Sequence, residues 1–500
     1  MARRQEGFLT DQQYDNWVRT LVPYIYDAWV PFVTEWPGLT CRWGPEINKN
    51  ARKGEKSQGI IYSKHTLYTS EAISQDEMGK GNSPKIVVAT CDVPKAYLSK
   101  TDSCLGFHGT SRARHFRVEK HIHHPGPVNR IRECPQHPHI IATSTDAPHC
   151  LLWNVNSQPD ARGGARSKVQ WLGTAQVGEP DLKLVGHEAN APFAMAWSST
   201  REVVASGAED GTVLTWDLHD KIASVRARES LGQSLSPTYV LRGHSAEVGD
   251  VCFAPDTHHK LASAGADKTV LIWDTRAGTA PSCAFQSAHS FDIHALSWSS
   301  LEPHYIASGC EGGICKVWDL RTMQMVCEMH TEHRGAINRV DFHPACPGVL
   351  AAADARGVIS VWKDKSSKAQ GAKDGWRQVF QHLGHKSEVT DFQWLASDRF
   401  RDPKDPEAEW AHWTVLSVSA RSPTDGGGSV QVWRASDFVH SEKATEWMCQ
   451  FYPALSQSGL ADAGAGGDAA GNERENAQRS GARRERSAAT TAQPSEPMDL

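Results

Sequence analysis

The sequence predicts an all-β protein, a seven-bladed β-propeller with an N-terminal α-helix, and three observations carry that prediction. The first is a repeat unit. Gly243 to Arg276 opens with Gly-His and closes on Trp-Asp. Between them lie three short apolar runs, Val248 to Phe253, Lys260 to Ala264 and Val270 to Trp273, divided by Asp, Pro, Gly and Lys turn clusters. Each run is strand-like and too short for a helix. The second is register: His244 to Trp273 spans 29 positions, as do His124 to Trp153, His187 to Trp216, His289 to Trp318 and His333 to Trp362. A sixth copy, His385 to Trp433, is stretched to 48 by an insertion containing Asp402 to Glu409. The third is what precedes the repeats. Residues 36–44, Ile60 to Thr69 and Lys85 to Val93 read as strands of one more blade, which brings the ring to seven.

The Gly-His/Trp-Asp pattern is the signature of a WD40 propeller, in which each repeat is one four-stranded blade unable to bury both faces alone. His187, His244, His289, Trp216, Trp273 and Trp318 are therefore expected to be framework, placed where neighbouring blades meet. Asp210 and Asp267, each six positions before the Trp, are expected to fix the adjoining turn by hydrogen bonding. Gly312 and Arg356 replace that Asp in two copies, so those blades must rely on packing.

Composition fits a large core: 500 residues, 39% hydrophobic, with 18 Trp. A net charge of -5 does not point to a nucleic-acid binder, which is normally basic with a clustered patch. The 12 Cys form no CxxC pair, so reduced buried thiols and an intracellular setting are expected. No apolar run approaches the roughly 18 residues that span a membrane, and the polar first residues do not resemble a signal peptide.

In chain order, residues 1–10 read as a disordered N-terminus and 11–35 as a helix packed on the propeller, capped by Thr10 or Asp11. Tyr14, Trp17, Val18, Leu21, Val22, Ile25 and Trp29 recur at spacings of three and four, leaving Gln13, Asp15, Arg19 and Thr20 outside. Pro23 should kink this helix, which ends before Pro31 or Pro37. The propeller then occupies 36–440. To remove an open edge, Leu39 to Trp43 is expected to pair with Ser429 to Trp433 in the last blade. Residues 94–115, 156–180 and 363–376 read as loops, and 456–500 as a disordered tail poor in large apolar side chains, with Arg483, Arg484 and Arg486 a candidate import signal.

No catalytic constellation emerges. P-loop, GxSxG and HExxH motifs are absent, and no cofactor is expected. His121, His123 and His124 form the densest histidine group, but strand alternation points neighbours to opposite faces and no acid or Cys lies close, so no metal site is expected there. Binding is the remaining role.

The runs YDNWVRTLVPYIYDAW, EWPGLTCRWGP, KIVVATCDVP, HPGPVNRIRECPQHPHIIAT and GHKSEVTDFQW with SVQVW resemble the histone-binding WD40 family of retinoblastoma-associated proteins, over about residues 14–440. HPGPVNRIRECPQHPHIIATSTDAPHCLLW and the stretch Gly426 to Gly428 are most similar to its plant flowering-time branch. The resemblance implies a nuclear, non-catalytic scaffold subunit of chromatin complexes, including histone deacetylase and polycomb-type assemblies, acting in transcriptional repression. It also implies a groove for a helix of histone H4, with matching positions at Leu21, Tyr24, Ile25, Phe380 and Gln381. The intervening loop is basic here, with Lys363, Lys365, Lys368, Lys373 and Arg377 around only Asp364 and Asp374, so an acidic or neutral partner helix is expected to be preferred. A second implied site is the propeller's top face, where acids accept a basic histone H3 tail or cofactor peptide. The matching positions are Gly249, Ala336 and Ala420 with Arg421 beside it, Glu247 and Asp250 flank the first, and Phe193 offers an aromatic contact.

A different function class is suggested by WDTR, Trp273 to Arg276, and WDLR, Trp318 to Arg321. These boxes are similar to those of substrate receptors for cullin-type ubiquitin ligases, whose adaptor would take Arg276 and Arg321.

Overall fold

The computed structural model describes residues 11–20, 22–34, 37–48, 62–71, 84–94, 116–160, 178–331, 334–364, 375–395, 413–420 and 428–435. All lie in the first of two compact units, residues 1–440. Helix α1 (Asp11–Thr20) and the single turn α2 (Val22–Ile25) lead into strand β1 (Tyr26–Val33). The strands form seven separate sheets. Blade 1 is β2 (Cys41–Asn48), β3 (Tyr62–Glu71), β4 (Lys85–Pro94) and β5 (Phe116–His123). Blade 2 is β6 (Arg130–Glu133), β7 (Ile140–Ser144), β8 (His149–Asn154) and β9 (Leu182–Val185). Blade 3 holds β10 (Met195–Trp197), β11 (Val203–Gly207), β12 (Thr212–Asp217) and, after helix α3 (Ile222–Ala227) and β13 (Ser234–Leu235), β14 (Tyr239–Arg242). Because β13 pairs in parallel with β9, this excursion from blade 3 gives blade 2 a fifth strand. Blades 4 and 5 are β15 (Val248–Phe253) to β18 (Cys283–Phe285) and β19 (Ile293–Trp298) to β22 (Gln324–His330). Blade 6 runs from β23 (Ile337–Phe342) to β26 (Trp376–His382), and blade 7 from β27 (Val389–Trp394) to β29 (Ser429–Ala435).

Apart from the parallel strand β13, each blade is an antiparallel sheet with apolar residues on both faces, so the core lies between blades. Ala194, Val213 and Leu241 of blade 3 pack with Val248, Val251, Leu261 and Trp273 of blade 4. The repeat signature supplies the polar clamp of that interface. Trp273 donates its indole N–H to Ser263 Oγ at 2.8 Å, and the same hydroxyl meets His244 Nε2 at 2.7 Å. His244 Nδ1 lies 2.8 Å from Asp267 Oδ2, and Asp267 also accepts the Thr269 and Ser245 backbone N–H groups. The glycine before that histidine is needed for close approach: a Cβ on Gly243 would stand 2.9 Å from Trp273 Cη2 and 2.8 Å from Pro281 Cγ. Blades 2, 5 and 7 repeat the histidine, hydroxyl and tryptophan as His124, Thr143 and Trp153, as His289, Ser308 and Trp318, and as His385, Ser417 and Trp433. In blade 5 the Asp is Gly312, and the ring of Phe291 occupies the space, 2.5 Å from where a Cβ would sit. Blade 3 differs, Trp216 donating instead to the Val185 carbonyl at 3.2 Å.

The ring closes through its N-terminus, with a different strand from the one expected. β1 pairs antiparallel with β29, Trp29 opposite Trp433 and Val33 opposite Ser429. Leu39 to Trp43 does not pair with Ser429 to Trp433; Cys41 opposite Thr69 begins blade 1. The helix expected over 11–35 therefore gives way to a strand at Tyr26. Ala28, Val30 and Phe32 follow the period of two after a register shift between Tyr26 and Ala28, and Val30 and Phe32 pack on the apolar cluster shared by blades 7 and 1. Pro31 is tolerated because β1 is the edge strand of its sheet, where one side needs no backbone donor.

Several expectations fall outside the described residues: the disordered ends 1–10 and 456–500, the Arg483, Arg484 and Arg486 cluster, the insertion Asp402 to Glu409, and the positions Leu21, His333, Lys365, Lys368, Lys373, Asp374 and Arg421. Among the described residues the cysteines are free thiols, with Cys41, Cys91, Cys134, Cys150, Cys310 and Cys315 buried and Cys283 exposed.

Candidate functional site

Two surfaces on this ring could receive a partner. The first lies where α1 meets the last two blades. Trp17, 6% exposed, is the anchor: its ring is 5.9 Å from those of both Tyr26 and Trp29. Tyr26 in turn meets Phe380 edge-on at 5.5 Å and shares a hydrogen bond with His382 Nδ1 at 2.7 Å, while His382 stacks on Trp433 at 4.3 Å. Tyr14 donates to the Gly384 carbonyl at 3.0 Å, and Trp29 Nε1 to Gln431 Oε1 at 2.8 Å. Burial of this network holds the Tyr26 hydroxyl well above its usual pKa and the His382 imidazole well below, so both are neutral at physiological pH.

That geometry corrects part of the expected groove. Ile25 and Phe380 are 9% and 6% exposed, and Phe380 packs against Tyr26 of the closing strand. A flat aromatic on the second-last blade is needed to seat Tyr26, and the same residue cannot then be an open contact. Gln381, half-buried, is the neighbouring position on β26 that retains exposed surface. Tyr24 lies in α2 and Leu21 outside the described residues. On its outer side α1 presents Gln12, Asp15, Asn16 and Arg19, which line one shallow concavity.

The second surface is the end of the ring where each innermost strand begins. The residue just before that strand accepts a backbone hydrogen bond from the residue just past the second strand. The pairs are Ala266 to Glu247 in blade 4, Glu311 to Asp292 in blade 5, Ala355 to Ala336 in blade 6 and Ala420 to Glu388 in blade 7, with Glu209 to Asn190 the counterpart in blade 3. Glu209, Glu247, Asp292, Glu311 and Glu388 thereby share one face. Glu247 is half-buried, and its carboxyl is raised by burial, then by the charge of Glu209, with Asp292 adding and His294 opposing. Such mutual repulsion is relieved when a cation arrives. Phe193, 46% exposed, and Phe291, 48%, stand in the same loops.

Asp250 is not on this face. It is 0% exposed, with Oδ2 accepting the Leu296 N–H at 2.9 Å and Arg339 Nη1 at 3.3 Å. The third residue of β15 points into the ring and ties blade 4 to blade 5. Glu209, Phe291, Asp292, His294, Glu311 and Glu388 were not among the residues expected from sequence, although a signal for several of them was available. Asp292 stands as far before Trp318 as Glu247 before Trp273, and Glu209 and Glu311 are equally spaced from Trp216 and Trp318.

Arg276 and Arg321 are exposed, each held bidentate by its own strand's aspartate, Arg276 to Asp274 and Arg321 to Asp319, with 2.7 Å shortest contacts. The two boxes thus have satisfied guanidinium forks. Among the described residues no group of three or more His, Cys, Asp or Glu is placed to hold a metal ion, and no helix is long and apolar enough to cross a membrane.

Residues 12–95 match the family of the histone-binding protein RBBP4 and its counterpart in the CAF1 complex. Residues 178–217, 235–274 and 281–319 match the WD domain, G-beta repeat. The WD-40 repeat-containing protein MSI4 of Arabidopsis thaliana is 32% identical over 464 residues, 88% of this chain and 84% of that protein. A chain of the crystal structure of mitotic checkpoint complex aligns over 75% of this chain and 88% of its own at a TM-score of 0.47 and 15% identity, too distant a likeness to carry an argument.

Proposed function

This chain belongs to the histone-binding WD40 family of the RBBP4 and CAF1 type, and from that premise we propose that it is a nuclear scaffold subunit of chromatin-modifying complexes acting in repression. The observation that carries this reading is the match of residues 12–95 to the family's histone-binding segment. In this structure that segment comprises the anchored helix, the closing strand and most of blade 1. Histone deacetylase and polycomb-type assemblies are the complexes we assign it to.

The shared face of Glu209, Glu247, Asp292, Glu311 and Glu388 is our site for a basic peptide such as the H3 tail, with Phe193 and Phe291 packing on aliphatic stems of lysine or arginine. The side of α1 near Gln381 is our site for an amphipathic helix. There Lys363 faces Arg377 across β25 (Ile359–Asp364) and β26, a basic strand pair that favours an acidic or neutral helix over a basic one. No observation favours the ligase-receptor reading, since Arg276 and Arg321 are engaged by Asp274 and Asp319.

Affinity purification from nuclear extract with mass spectrometry tests the scaffold role, and recovery of no chromatin subunit would overturn it. Fluorescence anisotropy with H3-tail, H4-helix and acidic-helix peptides tests the two sites. The H3 peptide should bind with strong salt dependence and lose affinity in Glu247→Lys.

A further inference from the structure

Four arginines converge on one carboxylate where the innermost strands of blades 1, 2, 6 and 7 meet. Arg42 lies on β2, Arg130 and Arg132 two positions apart on β6, Arg339 on β23 and Asp391 on β27. Around Asp391 stand Arg132 Nη1 at 3.1 Å, Arg42 Nη2 at 3.5 Å, Arg130 Nη1 at 3.7 Å and Arg339 Nε at 3.8 Å. A carboxylate offers about four lone-pair sites. Those of Asp391 are largely in use: Oδ2 accepts from the Thr40 hydroxyl at 2.7 Å and from Arg132, and Oδ1 from the Phe392 N–H at 3.0 Å. The other three guanidiniums are left at distances too long for a hydrogen bond.

Backbone carbonyls meet part of the difference: Arg42 Nε and Nη1 donate to Ile131 and Phe392 at 3.3 and 3.4 Å, and Arg132 Nη1 to Ile131 at 2.8 Å. The nearby carboxylates do not supply the rest. Asp250 is shared among Val251 N–H, Leu296 N–H and Arg339, Asp341 accepts from Ser297, and Glu133 accepts from Gln393 with its other oxygen 3.7 Å from Arg42 Nε. Arg42 Nη2, Arg130 Nε and Nη1, Arg132 Nη2 and Arg339 Nε are buried without a hydrogen-bond partner among the described residues. The side chains of Arg42, Arg130 and Arg132 are 3%, 7% and 8% exposed. Buried charged donors lacking acceptors are strongly destabilising, and native proteins leave few.

We propose that this cluster is a binding site for a small oxyanion of the phosphate or sulfate class, seated against Arg42, Arg130 and Arg132 beside Asp391. A tetrahedral oxyanion presents several acceptor oxygens to planar guanidinium forks, where a single water offers one oxygen. Arg130 has two buried donor nitrogens without a partner, and burial pulls the pKa of Arg130 down and that of Arg132 further, so an anion in contact would favour the charged form of both. The bound ion would join blades 1, 2 and 7, next to the seam where the ring closes, and so would bind the closed ring alone.

The test is thermal unfolding of the full chain, freed of phosphate, while inorganic phosphate or sulfate is titrated at an ionic strength held constant with sodium chloride. A saturable rise of about 2 °C or more is expected at millimolar anion. Arg130→Met, which removes the charged donors while keeping an unbranched apolar stem, should fold to the same circular dichroism spectrum and show no rise. An absent rise, or an equal rise in both proteins, overturns the proposal. A response to inositol hexakisphosphate without one to phosphate or sulfate overturns the small-ion assignment. Should Arg130→Met not fold, wild-type crystals soaked in selenate decide: an anomalous peak at hydrogen-bond distance from Arg130 supports the site, and an empty cluster refutes it.

Discussion

Replacing Trp273 by Ala separates a framework role from a contact role. The side chain is 1% exposed, and a buried Trp removes about 150–250 Å² from water, or about 4–6 kcal/mol at about 25 cal/mol per Å². Core Trp to Ala changes cost about 3–5 kcal/mol because the site collapses only in part. Trp273→Phe keeps much of the bulk but strips the 2.8 Å donor from Ser263, a loss of about 1–2 kcal/mol. The expected order of melting temperatures is therefore wild type, then Phe, then Ala, with Ala lower by on the order of 10 °C. Gly243→Ala should resemble the Phe variant, since its new Cβ collides with the same indole ring. Calorimetry and circular dichroism give the melts, and peptide binding is measured well below all of them. Binding should follow the folded fraction. An unaltered melt for Trp273→Ala with lost binding would make Trp273 a contact residue and refute the interface assignment.

Three further outcomes follow from the same geometry. Burial raises the Asp267 carboxyl, but hydrogen bonds and charge from His244 with the Thr269 and Ser245 donors outweigh it and hold it at about 2, below the ordinary 3.8. Its folded pKa being depressed, it contributes stability, about 1–2 kcal/mol after screening, that is present above pH 3.8 and lost as pH falls toward 2. Asp267→Asn should flatten that part of an acid-unfolding curve, and an unchanged curve would count against it. Truncation to residue 34 should expose the β29 edge and give an aggregating ring, whereas truncation to residue 25 spares β1 and should stay monomeric at a lowered melting temperature, as light scattering will show. Arg276→Ala combined with Arg321→Ala should leave both the melt and the recovery of chromatin subunits unchanged, because these exposed forks bind only their own strands' aspartates; loss of those subunits would reopen the adaptor reading.

The sequence by itself determined the repeat, the blade number and the framework, because the constraint on them is local and periodic. A histidine, a hydroxyl, a tryptophan and a glycine must sit at fixed offsets for one blade to seal against the next, and His244, Ser263, Trp273 and Gly243 do. Closure was legible in principle and misplaced in detail. Tyr26 and Trp29 suit a helical stripe as well as a strand, and only the vacant edge of β29, almost the whole ring away in sequence, selects the strand. The partner surfaces depended still more on tertiary structure. Glu247 and Asp250 are three residues apart, yet one faces the rim beside Glu209 and Asp292 while the other is sealed against blade 5. Phe380 has the right residue type for a groove but spends its ring on Tyr26. A carboxylate or an aromatic carries no mark of what lies opposite, and here the opposite residue comes from another blade, so burial and charge at each site are properties of the assembled ring.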